Sequence, residues 1–392
     1  MTSTTPGPTT PTIANLVIGG GLAGSMVAIR LRAAGRPVTL LEKETSAHHK
    51  VCGEFLSPEA VCYLRQIGID PLHLGAATIR LLRLSSRRRT VQTSLPFTAL
   101  SLSRFSLDEA MLSRAKETGC HVQRGVFVDQ LTPHDNLWHA RLRGDQSLCA
   151  HNVFLATGKH DLHGWDRSPS RQSDLVGFKL HWRLVPSQTA ALREFIEIFL
   201  FHSGYGGLSL VEEDVANLCL VVRRSRLRTL GGWPHLLASV LHENQPILQR
   251  LQGATPLWDR PLAIASIPYG YLAAQPCGLW RIGDQAAVIP SFTGDGMSIA
   301  LHSAALATAM YLDGETPAQY HRELHAQLSP AMSLAASLSR AVVTAPGRTL
   351  APIALSLFPH AMRWIAASTR IPNQALLHKL PPGTDPRSPT DL

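Results

Sequence analysis

Residues 13–18 (IANLVI) are an unbroken, β-branched apolar run, the pattern of a strand buried on both faces. After the turn Gly19-Gly20-Gly21-Leu22-Ala23-Gly24, the segment SMVAIRLRAAG spaces its apolar residues as a helix does and stops at Gly35. Pro37 to Leu41 predicts a second strand, closed by Glu42. A helix is predicted over 104–118 and a meander of short strands over 120–155. From Gly177 to about Ala273 the period shortens. The runs 176–185, 195–203, 207–214 and 215–224, separated by glycine and polar turns, predict an antiparallel sheet. Helices are expected at 234–251 and 317–345. The segment 349–368 is the one apolar stretch long enough to suggest a membrane span. Pro352, Pro359, His360 and Arg363 interrupt it, so a buried or surface-docked helix pair is expected instead.

Composition narrows the classes. The chain has 392 residues, 45% apolar and 17% charged, enough for two or three domains and too apolar for a disordered polyelectrolyte. The net charge is +9, but the basic residues are scattered. Their densest cluster, Arg87-Arg88-Arg89, has no interleaved aromatics to stack bases, so a nucleic-acid partner is not expected. Cys52, Cys62, Cys120, Cys149, Cys219 and Cys277 form no Cys-x-x-Cys pair, and residues 1–12 lack the charge and apolar core of a signal peptide. Both features predict a soluble cytoplasmic protein with reduced thiols. Among the eighteen histidines, His48-His49 and His160…His163 have no carboxylate or cysteine at ligand spacing, so no metal is expected.

The order strand, Gly-x-Gly-x-x-Gly, helix, strand, acid is that of a dinucleotide site. Gly19 would make the tight turn and Gly21 would let the backbone approach a pyrophosphate. Gly24 would let the helix pack close to the strand. Leu22 and Ala23 open the helix whose free N–H groups face the phosphates. Glu42 can accept both hydroxyls of an adenosine ribose.

A second string begins at Gly283-Asp284, passes Pro290 and Gly294-Asp295-Gly296-Met297, and runs into the apolar helix SIALHSAALATAM. A strand ending in Gly-Asp, then Pro, then a glycine turn opening a helix is a second cofactor contact of FAD proteins. Asp284 can accept from ribityl hydroxyls. Gly294 and Gly296 let backbone lie against an isoalloxazine, and the helix dipole from Met297 onward favours negative charge on the reduced ring.

With both strings in hand, the chain resembles the FAD-dependent oxidoreductases that include group A flavoprotein monooxygenases, flavin-dependent halogenases and geranylgeranyl reductases. Three further segments carry the resemblance. Lys50-Val-Cys52-Gly53-Glu54 is similar to the Cys-Gly-Gly segment of the geranylgeranyl-reductase-like branch, with Glu54 in place of the second glycine. Ser103-Arg104…Asp108…Leu112 resembles the helix start whose arginine lies near the pyrophosphate. Ala156-Thr157-Gly158 resembles the strand end that passes the FAD. The resemblance also places Lys43 among the cofactor-binding residues, Val128 where backbone meets the adenine, and Pro290 and Asp295 within the flavin contact.

The resemblance implies an α/β fold: a Rossmann-like FAD-binding domain of glutathione-reductase type with an inserted antiparallel-sheet substrate domain and C-terminal helices. The expected limits are a tail at 1–12, the FAD-binding domain at 13–175 and 274–312, and the sheet domain at 176–273. A helical region at 313–379 and a tail at 380–392 complete the chain. It implies non-covalent FAD, NAD(P)H as a transient reductant, and O2. A small lipophilic or phenolic substrate, of the polyketide type, would be hydroxylated or epoxidised. Reduction of a C=C bond is the alternative, with halogenation and non-catalytic binding behind it. The family's sheet lies over the flavin, which puts Lys179, His181 and Tyr205 in the substrate-facing set. No catalytic acid or base stands out. No second Gly-x-Gly-x-x-Gly unit occurs, which argues against a permanent NAD(P)H domain, and the Trp-x-Trp-x-Ile-Pro signature of halogenases is missing. Group A hydroxylases carry Asp-Gly…Arg where this chain has Asp161-Leu…Arg167, a partial match. A monomer or homodimer, with peripheral membrane contact at most, is the expected assembly.

Overall fold

A computed structural model describes residues 12–87, 89–144, 146–168, 172, 174–274, 278–344 and 359–377. Cys277, the tails and the whole of 349–358, the first half of the apolar stretch at 349–368, lie outside the described residues.

In chain order, β1 (Thr12–Ile18) leads through the glycine turn into α1 (Leu22–Ala33) and back into β2 (Thr39–Glu42). β3 (Phe55–Leu56), α2 (Pro58–Gln66) and a long hairpin of β4 (Ala77–Ser86) and β5 (Arg89–Ser101) follow. Then come α3 (Arg104–Glu117), β6 (His121–Arg124), β7 (Val128–His134), β8 (Leu137–Leu142) and β9 (Ser147–Leu155). The first sheet runs β6-β2-β1-β9-β8-β7. Its β1, β2, β6 and β9 are parallel, and β7–β8–β9 is the antiparallel meander. Both faces of β1 are buried as its composition requires. Val17 packs with Met26, Leu40 and Leu301 on the helical side, and Leu16 and Ile18 pack with Leu131 and Val153 on the other.

The second sheet begins with β10 (Leu175–Arg183), followed by α4 (Pro186–Leu192), β11 (Glu194–Phe201), β12 (Gly204–Leu210) and β13 (Ala216–Arg223). α5 (Arg224–Leu230), α6 (Trp233–Glu243) and α7 (Gln245–Leu251) cover its outer face through Leu236, Val240 and Ile247. The helix expected at 234–251 is thus two. Asn244 leaves helical geometry and its side chain caps the second helix, whose start carries Pro246. Short strands β14 (Thr255–Pro256) and β15 (Leu262–Ala265) pair with β10. β16 (Tyr271–Leu272), β17 (Trp280–Arg281) and β18 (Ala287–Val288) lead back to the first sheet, where β17 pairs with β9. The buried helix α8 (Gly296–Leu312), the long α9 (Pro317–Val342) and α10 (Pro359–Ser368) close the described chain.

One boundary differs from expectation. The order of the second sheet, β14-β10-β13-β12-β11-β4-β5-β3, takes in the hairpin 77–101, which was expected in the first domain. β4 pairs parallel with β11, a contact between segments more than 100 residues apart that no local pattern announces.

Candidate functional site

A cavity of about 750 Å3 opens between the two sheets, within the ~300–1,000 Å3 range of small-molecule sites. Its first wall is the parallel sheet and its loops. Gly19, Gly21, Leu22 and Ala23 line it from the first glycine turn. Gly24 does not, because it faces the strand: a Cβ there would overlap the Gly19 carbonyl oxygen and come within 3.1 Å of Val17 Cγ1. Gly19 itself has φ +108°, a backbone state that glycine adopts freely.

At the next strand end, Glu42 and Lys43 both reach the cavity. The Glu42 carboxylate accepts from the Gly20 N–H (2.6 Å) and the Glu44 N–H (2.9 Å), and so splints the turn to β2. Val128, Thr157 and Gly158 lie on the same wall, as do Cys52 and Gly53. Arg104 stands beside the turn, its Nη2 3.4 Å from where a Gly21 Cβ would be. It grips Asp108 with two hydrogen bonds (2.7 and 2.9 Å), and Lys50 reaches the same carboxylate at 2.8 Å. Burial opposes the Arg104 charge, but Asp108 outweighs it and raises the guanidinium's pKa. Asp108 is held low by Arg104 and Lys50 against its own burial. Two cations against one anion leave a positive charge facing the glycine turn.

The second string meets the cavity through Asp284, Gly294, Gly296 and Met297, while Pro290 and Asp295 are not on its wall. Asp295 is fully buried and turned away toward Arg370, with its Oδ1 2.7 Å from Nη1. The expectation that it touches cofactor is therefore corrected: an acid beside a buried arginine gains more from the ion pair than from the cavity. Arg167 pairs with Asp161 (2.6 Å) and donates to the carbonyl of Asp284 (2.8 Å), so the partial Asp…Arg motif anchors the Gly-Asp turn.

Two helices, α1 and α8, start on this cavity, and neither has a side-chain cap. Their first N–H groups are left for a ligand, and their dipoles favour anionic groups. The site has the right donors and space for FAD: bare N–H groups and a surplus cation at one glycine turn, and at Gly296 a second turn where a Cβ would meet nothing within 4 Å. The residues fit the group. Because Gly296 has neither a left-handed φ nor a crowding neighbour, Gly296→Val should leave FAD-free stability within about 0.5 kcal/mol. Its isopropyl group would then stand in the ring's space, so FAD affinity should fall at least roughly 10-fold. Melting curves and fluorescence titration of the same preparations check both halves.

The residues expected to face substrate divide. Tyr205 lines the cavity; Lys179 and His181 do not. They sit on one face of β10 and end on the carboxylate of Glu54, which Lys179 Nζ meets at one oxygen and His181 Nε2 at the other (2.9 Å). Glu54 and Lys179 are 0% exposed, and Glu54 takes φ +59°, the conformation that the glycine it replaces would adopt without strain. Burial would raise its pKa, but Lys179 and then His181 hold it below the usual carboxylate value. Glu54 also accepts from the Arg104 N–H (2.8 Å), joining the second sheet to the phosphate-side helix. His49, stacked between Phe105 and Trp258, is pushed down to about 4 by burial, Lys179 and His181. His49, Glu54 and His181 place ligand atoms within 4.8 Å of one another. The Lys179 ammonium already occupies the carboxylate, so the set is an ion-pair network rather than a cation cage.

The second wall is apolar. Leu82, Leu84 and Phe97 from the hairpin, Ile196, Ile198 and Leu200 from β11, and Met362 and Ile365 from α10 line it. Of its polar feature the sequence pointed to Tyr205 and not to its partners. The Tyr205 hydroxyl and the Tyr269 hydroxyl each bond Ser291 Oγ at 2.9 Å. Burial pushes Tyr205 up to about 12 and Tyr269 well above the usual phenol value, so both keep their protons. Tyr269, Ser291 and Arg370 carry no local motif. Only their convergence marks them.

Known proteins agree with this geometry. Residues 12–150 match a family of FAD binding domains. The chain is 31% identical over 116 residues to a menaquinone reductase of Mycobacterium tuberculosis, covering 28% of each protein. It is also 31% identical over 160 residues to the FAD-dependent monooxygenase OpS4 of Beauveria bassiana, covering 36% of this chain and 38% of that one. Residues 12–150 therefore carry an FAD binding domain, and the chain is similar to FAD-dependent oxidoreductases. Its cofactor is FAD. The chain matches only about a third of the length of these relatives. Over the whole fold, the myxobacterial chondrochloren halogenase CndH superposes with a TM-score of 0.74 at 18% identity, covering 92% of this flavoprotein and 91% of that chain. Among the described residues no helix is long and apolar enough to cross a membrane, and Cys52, Cys62, Cys120, Cys149 and Cys219 are all free.

Proposed function

We propose that this flavoprotein is a monooxygenase that uses NAD(P)H and O2 to hydroxylate or epoxidise a small lipophilic or phenolic substrate. The observation that carries the proposal is the continuity of one cavity from the phosphate-facing glycine turn to a deep apolar chamber. Bound FAD supplies acceptance of hydride from NAD(P)H and activation of O2. One oxygen atom goes to the substrate and the other leaves as water. The chain's part is to hold and to exclude. The first turn of α1, with Arg104 and Lys50, would hold the pyrophosphate. The Gly294–Met297 turn would face the ring, and the aliphatic chamber would keep water away.

Tyr205, Ser291 and Tyr269 anchor the substrate. Three hydroxyls own three protons, and two are spent in the two bonds among them. One O–H is left to donate to a substrate oxygen, which favours a phenol, quinone or ketone over a plain hydrocarbon. Tyr269→Phe should therefore lower kcat/KM about 2–10-fold, mostly through KM, the size of one neutral hydrogen bond.

The likeness to a menaquinone reductase supports a second reading, NAD(P)H-driven reduction of a conjugated C=C or quinone substrate in the same chamber. Purified, FAD-loaded protein separates them. Substrate-stimulated NAD(P)H oxidation that consumes equimolar O2 and yields an oxygenated product supports the monooxygenase. Turnover that continues without O2 replaces it with the reductase, and no substrate-stimulated oxidation under either condition overturns both.

A further inference from the structure

Behind the flavin-facing turn lies a buried charge cluster whose two acids, Glu59 and Asp295, are not on the cavity wall. Glu59 and Asp295 are each 0% exposed and Arg370 is 2% exposed. Arg370 Nη1 is 2.7 Å from Asp295 Oδ1 and 3.8 Å from Glu59 Oε2, and Nε donates to the Ala366 carbonyl at 3.2 Å. The guanidinium lies 4.2 Å over the Phe97 ring and 5.7 Å from that of Phe55. Among the described residues no second cation reaches either acid. Both oxygens of Glu59 and Oδ2 of Asp295 are buried without a hydrogen bond.

The two acids are not placed at random. Asp295 is the N-cap of α8, and Glu59 stands in the first turn of α2, so each draws on a helix dipole. Arg370 follows α10, whose Met362, Ile365 and Ala366 line the chamber, and Asp295 sits between the two glycines of the turn that lines it on the other side. One guanidinium therefore ties the chamber's C-terminal wall to the turn against which the ring would lie.

We propose that Arg370 is a positioning residue: by neutralising Asp295 and Glu59 it sets the place and charge of the Gly294–Met297 turn and holds the α10 wall over the substrate chamber. The proposal rests on the FAD reading for its last step but not for the cluster itself. Two buried carboxylates against one guanidinium carry one surplus negative charge, which a proton relieves. Burial, opposed by Arg370 and reinforced by Glu59, pushes Asp295 up to about 7, with the Thr293 and Thr369 hydroxyls also facing it. The native state then binds more protons than the unfolded chain between the ordinary value of 3.8 and about 7. Stability should fall as pH rises through that window and level off above it.

The test uses the full chain, FAD-free and FAD-loaded. Melting of the FAD-free protein from pH 5 to 8 should show this fall in wild type, and Asp295→Asn, which leaves Glu59 and Arg370 balanced, should flatten it. Arg370→Met should melt lowest, with a deficit that widens as pH rises. Arg370→Lys should recover much of the loss, and Arg370→Met combined with Asp295→Asn should melt above Arg370→Met alone. FAD titration should show a dissociation constant raised at least roughly 10-fold in Arg370→Met and less in Arg370→Lys. Equal pH slopes in wild type and Asp295→Asn, or an FAD affinity in Arg370→Met within about twofold of wild type, would overturn the proposal. If Arg370→Met does not fold, the Asp295→Asn slope and the Arg370→Lys titration decide. A wild type that binds no FAD but keeps the melting pattern sinks the cofactor reading and leaves the cluster standing.

Discussion

Gly24→Ala should yield a colourless protein of reduced stability. The added Cβ would overlap the Gly19 carbonyl oxygen and press within 3.1 Å of both Gly19 C and Val17 Cγ1. Both Gly19 contacts are backbone, so no side-chain rotation relieves them, and α1 must move off β1. Gly19 cannot give way either, because its own Cα faces the Ala156 backbone, whose carbonyl carbon would be 2.8 Å from a Cβ there. Overpacking of this kind costs about 1–3 kcal/mol or more. The displaced helix takes with it the N–H groups that face the pyrophosphate. Gly35→Ala is the control: its φ of +73° imposes strain of about 1–2 kcal/mol, but a Cβ there meets nothing within 4 Å. It should lose stability and keep its flavin. Absorbance at flavin wavelengths and thermal melting of both variants check the contrast. A yellow Gly24→Ala with wild-type melting would refute the close helix–strand approach.

Glu54→Ala should be the most destabilising side-chain truncation near the site, by about 3–5 kcal/mol, because it strands the fully buried Lys179 ammonium without its partner. Three bonds go with it, from Lys179, from His181 and from the Arg104 N–H. Glu54→Gln keeps the shape and should cost less. Glu54→Gly separates strain from charge, since it relieves the φ of +59° by about 1–2 kcal/mol yet still abandons Lys179. Denaturant melts should therefore rank the variants with wild type first, then Gln, then Gly above Ala. Because Glu54 is held below its usual value in the fold, its contribution is present at neutral pH and is lost only as acid protonates the folded carboxylate. Glu54→Ala melting like wild type would refute the Glu54–Lys179 ion pair as a stabilising contact.

The parts of the site legible in the sequence are those made by neighbours along the chain. Gly19–Gly24 and Gly283–Met297 announce their turns because tight backbone geometry selects glycine locally. The strand and helix periods around them follow from burial on one or two faces. The sheet of 176–224 was equally plain from its alternation. Other features depend on partners that no local window contains. Lys179 and His181 alternate on β10 as substrate-facing residues would, yet their side chains end on Glu54, 125 and 127 residues away. The hairpin β4–β5 shows its own pairing but not the sheet it joins. Asp295 lies inside a glycine turn that reads as a cofactor contact, and an arginine 75 residues later turns it inward. By itself the sequence determined the dinucleotide turn, the flavin turn and the order of elements between them, because backbone sterics and hydrophobic period act over a few residues. The tertiary structure alone decided which buried charges are paired and which hydroxyls converge on the chamber, because the cost of burying a polar group is settled by whatever partner the fold brings to it.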